Sequence, residues 1–121
     1  MKSIIIVFLV ASSLSVFAGE YVHSDVPRVE TIYSLSIAAD LVQIQVESNG
    51  CTTKESFLVQ KYLDPNDNII RLLFIRNRPD FCRAFPSEGA LIEFSKDDLN
   101  IARDVGVRVE NPFSHNPRKS N

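Results

Sequence analysis

Two cysteines, Cys51 and Cys82, are the residues of this chain whose type and spacing most directly suggest chemistry. A redox or nucleophilic thiol is one interpretation, but the spacing is not C-x-x-C, and His23 and His115 are far apart in the sequence. An even number of cysteines in an exported chain instead favours a disulfide. We therefore predict a structural Cys51–Cys82 disulfide, which would stabilise the fold by roughly 3 to 4 kcal/mol on the chain-entropy model.

Positive charge is concentrated shortly before and just after Cys82. The four residues concerned are Arg71, Arg76, Arg78 and Arg83. Such a group can bind a carboxylate, a phosphate or an acidic protein. The alternative is that these arginines form weak, solvated ion pairs with the acidic residues that lie nearby. If a binding site exists, we expect Arg76, Arg78 and Arg83 to form it, because a disulfide at Cys82 would hold their loop in place.

Metal and catalytic motifs are weak in this sequence. Asp64, Asn66 and Asn68 resemble the opening of a calcium loop, but Ile69 stands where glycine is needed and Ile75 where glutamate is needed. A plain hairpin turn is therefore favoured. The sequence contains no H-E-x-x-H or G-x-S-x-G motif, and its four glycines form no phosphate-binding loop. We predict a protein that is not an enzyme and uses neither a metal nor a cofactor.

The N-terminal segment, residues 1–18, has the features of a secretory signal peptide. It begins with a basic residue, continues with an apolar run, and ends with Val16 and Ala18 at the positions that precede cleavage. A membrane anchor is the competing interpretation, but serines interrupt the segment, and it is shorter than the roughly 20 residues that span a bilayer. We expect the mature chain to begin at Gly19 or Glu20 and to be periplasmic or extracellular.

The residues after the cleavage site have the size of one domain. We predict a single β domain over residues 19–111 and a flexible tail over residues 112–121, where Asn-Pro steps occur. Removal of Lys2 with the signal lowers the basic residues from 13 to 12 against 15 acidic ones, a net charge near −3. This balance argues against nucleic acid or an anionic membrane as the partner, and no stable membrane anchor is expected after cleavage.

Much of the remaining chain alternates apolar and polar residues with period two, which is typical of half-buried strands. Six segments qualify: 28–35, 42–46, 57–63, 69–76, 90–95 and 105–110. The DPNDN sequence between the third and the fourth indicates a hairpin. Ser95 and Asp98 resemble a helix cap and predict one short helical turn. The expected fold is all-β, a small antiparallel sandwich or barrel-like domain of about six or seven strands with one disulfide.

Three segments around the cysteines form an ordered set: SNGCTTKESF at 48–57, RNRPDFCRA at 76–84 and LIEFS at 91–95. This set resembles a group of small exported bacterial proteins of uncharacterised function. The resemblance covers roughly residues 49–111 and implies a compact β domain in which Cys51 and Cys82 are bridged. It also implies that Lys54, Arg76 and Asp80 belong to the shared pattern, and it implies no activity.

A recognition surface beside the disulfide is the functional prediction. Its candidate residues are Lys54, Arg76, Arg78, Asp80 and Arg83. Within it, we expect Lys54 to pair with Asp80 across the closed loop. The leading hypothesis is a non-enzymatic module that binds another envelope or secreted protein. The alternatives are an inhibitor or immunity-type partner of a secreted enzyme, an accessory structural domain of the envelope, and a small hydrolase in which His23 or His115 approaches a serine and a carboxylate.

Overall fold

The computed structural model describes residues 26–119, so the predicted signal peptide and its cleavage site lie outside the described residues. Within this range the fold is all-β, as predicted, with a 3-10 helix at Lys54–Ser56. The strands are β1 (Arg28–Val29), β2 (Ile32–Ile37), β3 (Leu41–Val46), β4 (Phe57–Asp64), β5 (Ile69–Arg76), β6 (Ala90–Ser95) and β7 (Gly106–Val109). None of the helices in this part of the chain is long and apolar enough to cross a membrane.

Two sheets form the domain. In the three-stranded sheet, β3 lies between β2 and β6, and both pairings are antiparallel. In the four-stranded sheet, β4 pairs along the whole of β5. The other edge of β5 is shared by two strands, because β7 pairs in parallel with residues 69–72 and β1 pairs antiparallel with residues 75–76. The hairpin predicted between β4 and β5 is confirmed.

Apolar side chains from both sheets form one core. Its buried members are Ile32, Val42, Ile44, Val46, Phe57, Leu72, Phe74, Ile92, Phe94 and Ile101. The rings of Phe74 and Phe94 join the two sheets, with centroids 5.0 Å apart. Burial of these apolar side chains favours folding, because the contribution grows with the apolar area removed from water.

The side-chain amide of Asn111 fills the gap between β7 and β1 along the edge of β5. It accepts a hydrogen bond from the backbone N–H of Phe74 at 2.9 Å and donates to the carbonyl oxygens of Phe74 and Glu30, both at 2.8 Å. An amide offers the same donor and acceptor as a peptide group. Asn111 therefore continues the hydrogen-bond ladder where neither strand reaches.

The prediction for the first strand segment is wrong in two respects. The segment forms two strands, and the buried side chains are Glu30 and Ile32, whereas Val29 is exposed. The alternation of residue types instead predicts that Val29 faces the core and that Glu30 faces solvent. The reason is that Glu30 is buried as one half of an ion pair, and that the pairing of β2 with β3 shifts register between Ile32 and Ser34.

The predicted cap at Ser95 is present, because the N–H of Asp98 donates to the Ser95 hydroxyl oxygen at 3.0 Å. The chain forms a hydrogen-bonded turn there, while the 3-10 helix of the described range lies at Lys54–Ser56. In the tail, the N–H of Ser114 donates to the carbonyl of Ile32 at 3.1 Å. The contacts of the domain therefore continue past residue 111.

Candidate functional site

A cleft of about 390 Å³ lies beside the disulfide, and we call it the disulfide cleft. One wall is the segment that follows β3, and the other is the loop between β5 and β6, residues 77–89, here the β5–β6 loop. The lining residues are Arg28, Glu47, Ser48, Asn49, Arg76, Pro79, Asp80, Phe81, Cys82, Arg83 and Phe85. The loop has no strand or helix, so side chains and the disulfide must hold it in place.

A buried ion pair forms the floor of the disulfide cleft. Arg76 donates to both carboxylate oxygens of Glu30, from Nε at 3.0 Å and from Nη2 at 2.8 Å. The same guanidinium donates to the Thr52 hydroxyl oxygen at 2.9 Å and to the Glu47 carbonyl at 2.8 Å. Burial lowers the pKa of Arg76, but the hydrogen bonds and charge of Glu30 outweigh it and raise that pKa above its usual value.

Asp80 organises the entrance to the β5–β6 loop. Its Oδ2 atom accepts hydrogen bonds from the backbone N–H groups of Asn49 at 2.8 Å and Cys51 at 3.0 Å, and from the hydroxyl of Thr52 at 2.7 Å. Its Oδ1 atom accepts from the N–H of Cys82 at 3.1 Å. Burial raises the pKa of Asp80, yet these hydrogen bonds outweigh it and hold that pKa well below its usual range.

The predicted disulfide joins Cys51 and Cys82, whose Cα atoms are 5.7 Å apart. Together with the Asp80 side chain, their sulfurs form a group of three potential metal ligands within 4.8 Å of one another. Each sulfur is bonded to the other, and the carboxylate already accepts hydrogen bonds from both walls of the cleft. In the oxidised protein this cluster is therefore a structural clamp.

The rim of the disulfide cleft is aromatic and cationic. Phe81 is 69% exposed and Phe85 is 53% exposed, and Arg83 is also exposed. The tail supports this rim from behind, because the Arg118 guanidinium lies over the Phe85 ring, 5.4 Å from its centroid. Arg118 also donates to the carbonyl of Ser48 at 2.7 Å.

The candidate residues from the sequence divide into three groups. Arg76, Asp80 and Arg83 line the cleft, but Arg76 and Asp80 are committed to internal partners. Arg78 is exposed on the same loop. Lys54 lies elsewhere and pairs with Asp98 at 3.3 Å. The expected Lys54–Asp80 pair does not form, since hydrogen-bond donors of the loop and of the segment after β3 surround the Asp80 carboxylate.

Sequence reasoning missed five residues that line the cleft or support its lining from behind. They are Glu30, Thr52, Phe81, Phe85 and Arg118. The two phenylalanines carried a signal, because they flank a cysteine in a loop with no strand alternation, where an aromatic side chain has no core position to occupy. Glu30 carried none, because an acidic residue in an alternating strand segment is normally the solvent-facing one.

The other predicted sites have simple structural roles. Arg71 pairs with both Asp64 and Asp67, and Asp64 accepts from the N–H of Asn66, so this segment forms the hairpin turn that the sequence favours over a calcium loop. His115 is exposed, and the neighbouring Ser114 hydroxyl donates to the His115 carbonyl at 3.1 Å. His23 lies outside the described residues.

Comparisons with known proteins complete the description of the site. No known family, curated protein or solved structure matches the chain. The resemblance to small exported bacterial proteins therefore stays a prediction. The disulfide cleft and the surface around it are therefore the features that bear on function.

Proposed function

We propose that this chain is an exported, non-enzymatic module that binds another protein with the rim of the disulfide cleft. The contact residues of the proposal are Phe81 and Phe85, flanked by Arg78 and Arg83. Two residues from the initial set, Arg76 and Asp80, support these contacts from within. Lys54 lies outside the proposed contact surface, since its ammonium pairs with Asp98.

The exposure of Phe81 and Phe85 on a clamped loop is the observation that carries this proposal. Removal of an exposed phenylalanine ring from water lowers the free energy of the system. Aromatic residues and arginines are also enriched at the centres of protein interfaces. The disulfide and Asp80 hold the backbone of the loop before any partner arrives. Less conformational entropy is then lost on binding, which favours affinity.

The charges on the rim favour a partner with acidic groups. Glu47, an acidic residue that lines the cleft, forms ion pairs with Arg28 and Arg118 at 3.8 and 3.4 Å. Over residues 26–119, Arg78 and Arg83 have no ion pair of their own. Two uncompensated positive charges beside two phenylalanine rings suit a protein surface that combines carboxylates with apolar side chains.

The test is recovery of a partner by the protein as it is exported and oxidised in the cell, using envelope and secreted fractions as the source. We expect one dominant partner, and we expect Phe81→Ala and Phe85→Ala to weaken its binding by about tenfold or more when the complex is reconstituted from purified components. Phe113→Ala is the matched control, because Phe113 is also 53% exposed but does not line the cleft.

The outcomes separate the hypotheses. Equal binding by the Phe81→Ala, Phe85→Ala double variant and the parent protein would show that another surface binds the partner. Failure of the folded protein to recover any partner would contradict the proposal. If the recovered partner is a secreted enzyme, inhibition of its activity on complex formation would identify the inhibitor or immunity-type role.

A further inference from the structure

The outer face of the four-stranded sheet carries an apolar patch, which is unusual for a sheet surface that faces solvent. Phe74 and Arg76 of β5 point inward, so Leu73 and Ile75 point outward. In the sheet register, Ile75 lies between Leu58 of β4 and Val29 of β1, both of which are exposed. The side chains of this row therefore form one continuous apolar surface.

The outer face of the other sheet is polar by comparison. Gln43 of β3 is hydrogen-bonded to Glu93 of β6, and the Ser34 hydroxyl of β2 donates to Gln45 at 3.2 Å. Leu91 of β6 is also exposed on this face, but its cross-strand neighbours are Gln45 and Ser34. The outer face of the β2–β3–β6 sheet therefore has no row of adjacent apolar side chains like the one formed by Val29, Ile75 and Leu58. This difference marks the outer face of the four-stranded sheet as a surface that another chain covers.

The free edge of β4 adjoins the apolar patch, and its one lysine, Lys61, is held by the carbonyl oxygens of Leu99 and Asn100 at 2.7 and 3.2 Å. Ser56 accepts a hydrogen bond from Asn77 at the end of β5, so the alternation of the backbone points the peptide groups of residues 58, 60 and 62 toward β5. The groups of residues 57, 59, 61 and 63 then point to the free edge, where no partner strand is present among residues 26–119. Leu58, Tyr62 and Leu63 are exposed along this edge, on both faces of the strand.

We propose that a second copy of this chain occupies the edge, by antiparallel pairing of β4 with β4 about a two-fold axis at Gln60. Opposite residues must point to the same face of a sheet, so Gln60 faces Gln60 of the second copy. Leu58 then lies opposite Tyr62 of the second copy, twice by symmetry, and Phe57 lies opposite Leu63. Every outward-pointing peptide group from residue 57 to residue 63 meets one from the other strand.

The competing registers are less favourable. An axis at Lys61 places two lysines directly opposite each other, each already donating to the carbonyl oxygens of Leu99 and Asn100 in its own chain, and like charges in opposed positions destabilise a strand pair. An axis at Val59 leaves Leu63 beyond the paired region. Complementary side chains and the hydrogen-bond pattern of the free edge therefore select one arrangement.

The first test is the mass of the oxidised protein, produced from its full coding sequence and measured by sedimentation equilibrium over a wide range of concentration. We expect a mass twice that of one chain at high concentration. Leu58→Lys should weaken self-association by about tenfold or more. Leu91→Lys is the matched control, because Leu91 is also exposed, at 58% against 52% for Leu58, and lies on the edge strand β6 of the other sheet.

The second test locates the axis. Gln60→Cys places two thiols in directly opposed positions of an antiparallel pair, where a disulfide between copies can form without moving the backbone. Lys61→Cys places the thiols diagonally, farther apart. We expect covalent dimers from Gln60→Cys in large excess over those from Lys61→Cys. A single-chain mass at every concentration, as would result if residues 1–25 cover the edge instead, would overturn the proposal, as would equal cross-linking of the two variants.

Discussion

Arg76 and Glu30 form a two-point ion pair in the interior, with side chains that are only 4% and 1% exposed. One connection between this pair and the β5–β6 loop runs through a hydroxyl. Arg76 donates to Thr52 Oγ1 at 2.9 Å, and Thr52 donates in turn to Asp80 Oδ2 at 2.7 Å. A chain of polar contacts thus runs from the segment between β1 and β2 to the β5–β6 loop, and positions the rim of the cleft from inside the domain.

Arg76→Met is expected to destabilise the domain by about 3 kcal/mol, because it leaves the buried Glu30 carboxylate with only its longer ion pair to Arg28, at 3.6 Å. The free energy of unfolding, measured by urea denaturation, checks this. The double variant Arg76→Met, Glu30→Leu should recover part of the loss, since two apolar side chains need no pairing. Arg108→Met is the control, because its ion pair with Glu110 lies on the surface and is worth at most about 1 kcal/mol. A cost for Arg76→Met as small as that of the control would contradict the buried pair.

The regular strands of this fold were predictable because their sequence and their environment agree. In β3, Val42, Ile44 and Val46 face the core while the residues between them are partly exposed, so local alternation reports the structure directly. The first segment misleads because the identity of its buried residue depends on Arg76, which lies 46 positions later in the chain. The parallel pairing of β7 with β5 also depends on contacts distant in sequence.

The candidate site was predictable only in part for the same reason. The disulfide follows from the number of cysteines and the expectation of export. The role of Asp80 does not, because its hydrogen-bond donors at Asn49, Cys51 and Thr52 belong to a segment about 30 positions earlier. Local sequence identifies a charged residue near Cys82. Only the folded chain shows that its carboxylate accepts hydrogen bonds from the protein itself and is not available to a partner.

Stability should fall in acid through Asp80. Its pKa is lowered by folding, so the stabilisation that it contributes is present above the pKa of the unfolded chain and is lost as pH falls through the lower, folded value. The loss therefore begins below about pH 4, near the pKa of an unperturbed aspartate. Asp80→Asn should lower the urea midpoint at neutral pH and show a weaker fall below pH 4. Equal acid dependence in the two proteins would show that other carboxyl groups are responsible.

Removal of the disulfide should destabilise the domain by about 3 to 4 kcal/mol, as expected for a loop closed over 31 residues. Cys51→Ser with Cys82→Ser is the variant, and urea denaturation is the measurement. Hydrogen exchange adds a local readout. Amides of the β5–β6 loop should lose protection before those of β3, because β3 is held by two neighbouring strands. Uniform loss of protection across both would mean that the bridge stabilises the whole fold without fixing the loop in particular.

Gly89 is expected to tolerate no side chain. It has a φ of +76°, and a Cβ at this position would collide with the carbonyl oxygen of Val46 on β3. Gly89→Ala should therefore cost more than about 1 kcal/mol of stability. Gly106→Ala is the control, because a Cβ there would meet the Ile69 side chain at an ordinary 3.7 Å. Thermal denaturation of the two variants makes the comparison, and similar midpoints would contradict the close approach of Gly89 to β3.

The Asn111 amide takes the place of a strand at the edge of β5, so we expect it to contribute strongly to the stability of the domain. Asn111→Ala leaves the N–H and carbonyl of Phe74 and the carbonyl of Glu30 without these partners at a buried position, and an unmade buried hydrogen bond costs about 1 to 3 kcal/mol. We expect at least about 2 kcal/mol of destabilisation in urea. Asn116→Ala, which removes a hydrogen bond to the Ser87 carbonyl and one from the N–H of Arg118, both outside the core, should cost far less. Asn111→Asp distinguishes the donor from the acceptor. Its carboxylate can still accept from Phe74 but cannot donate to either carbonyl, so a stability equal to that of the parent would show that the donated bonds contribute nothing.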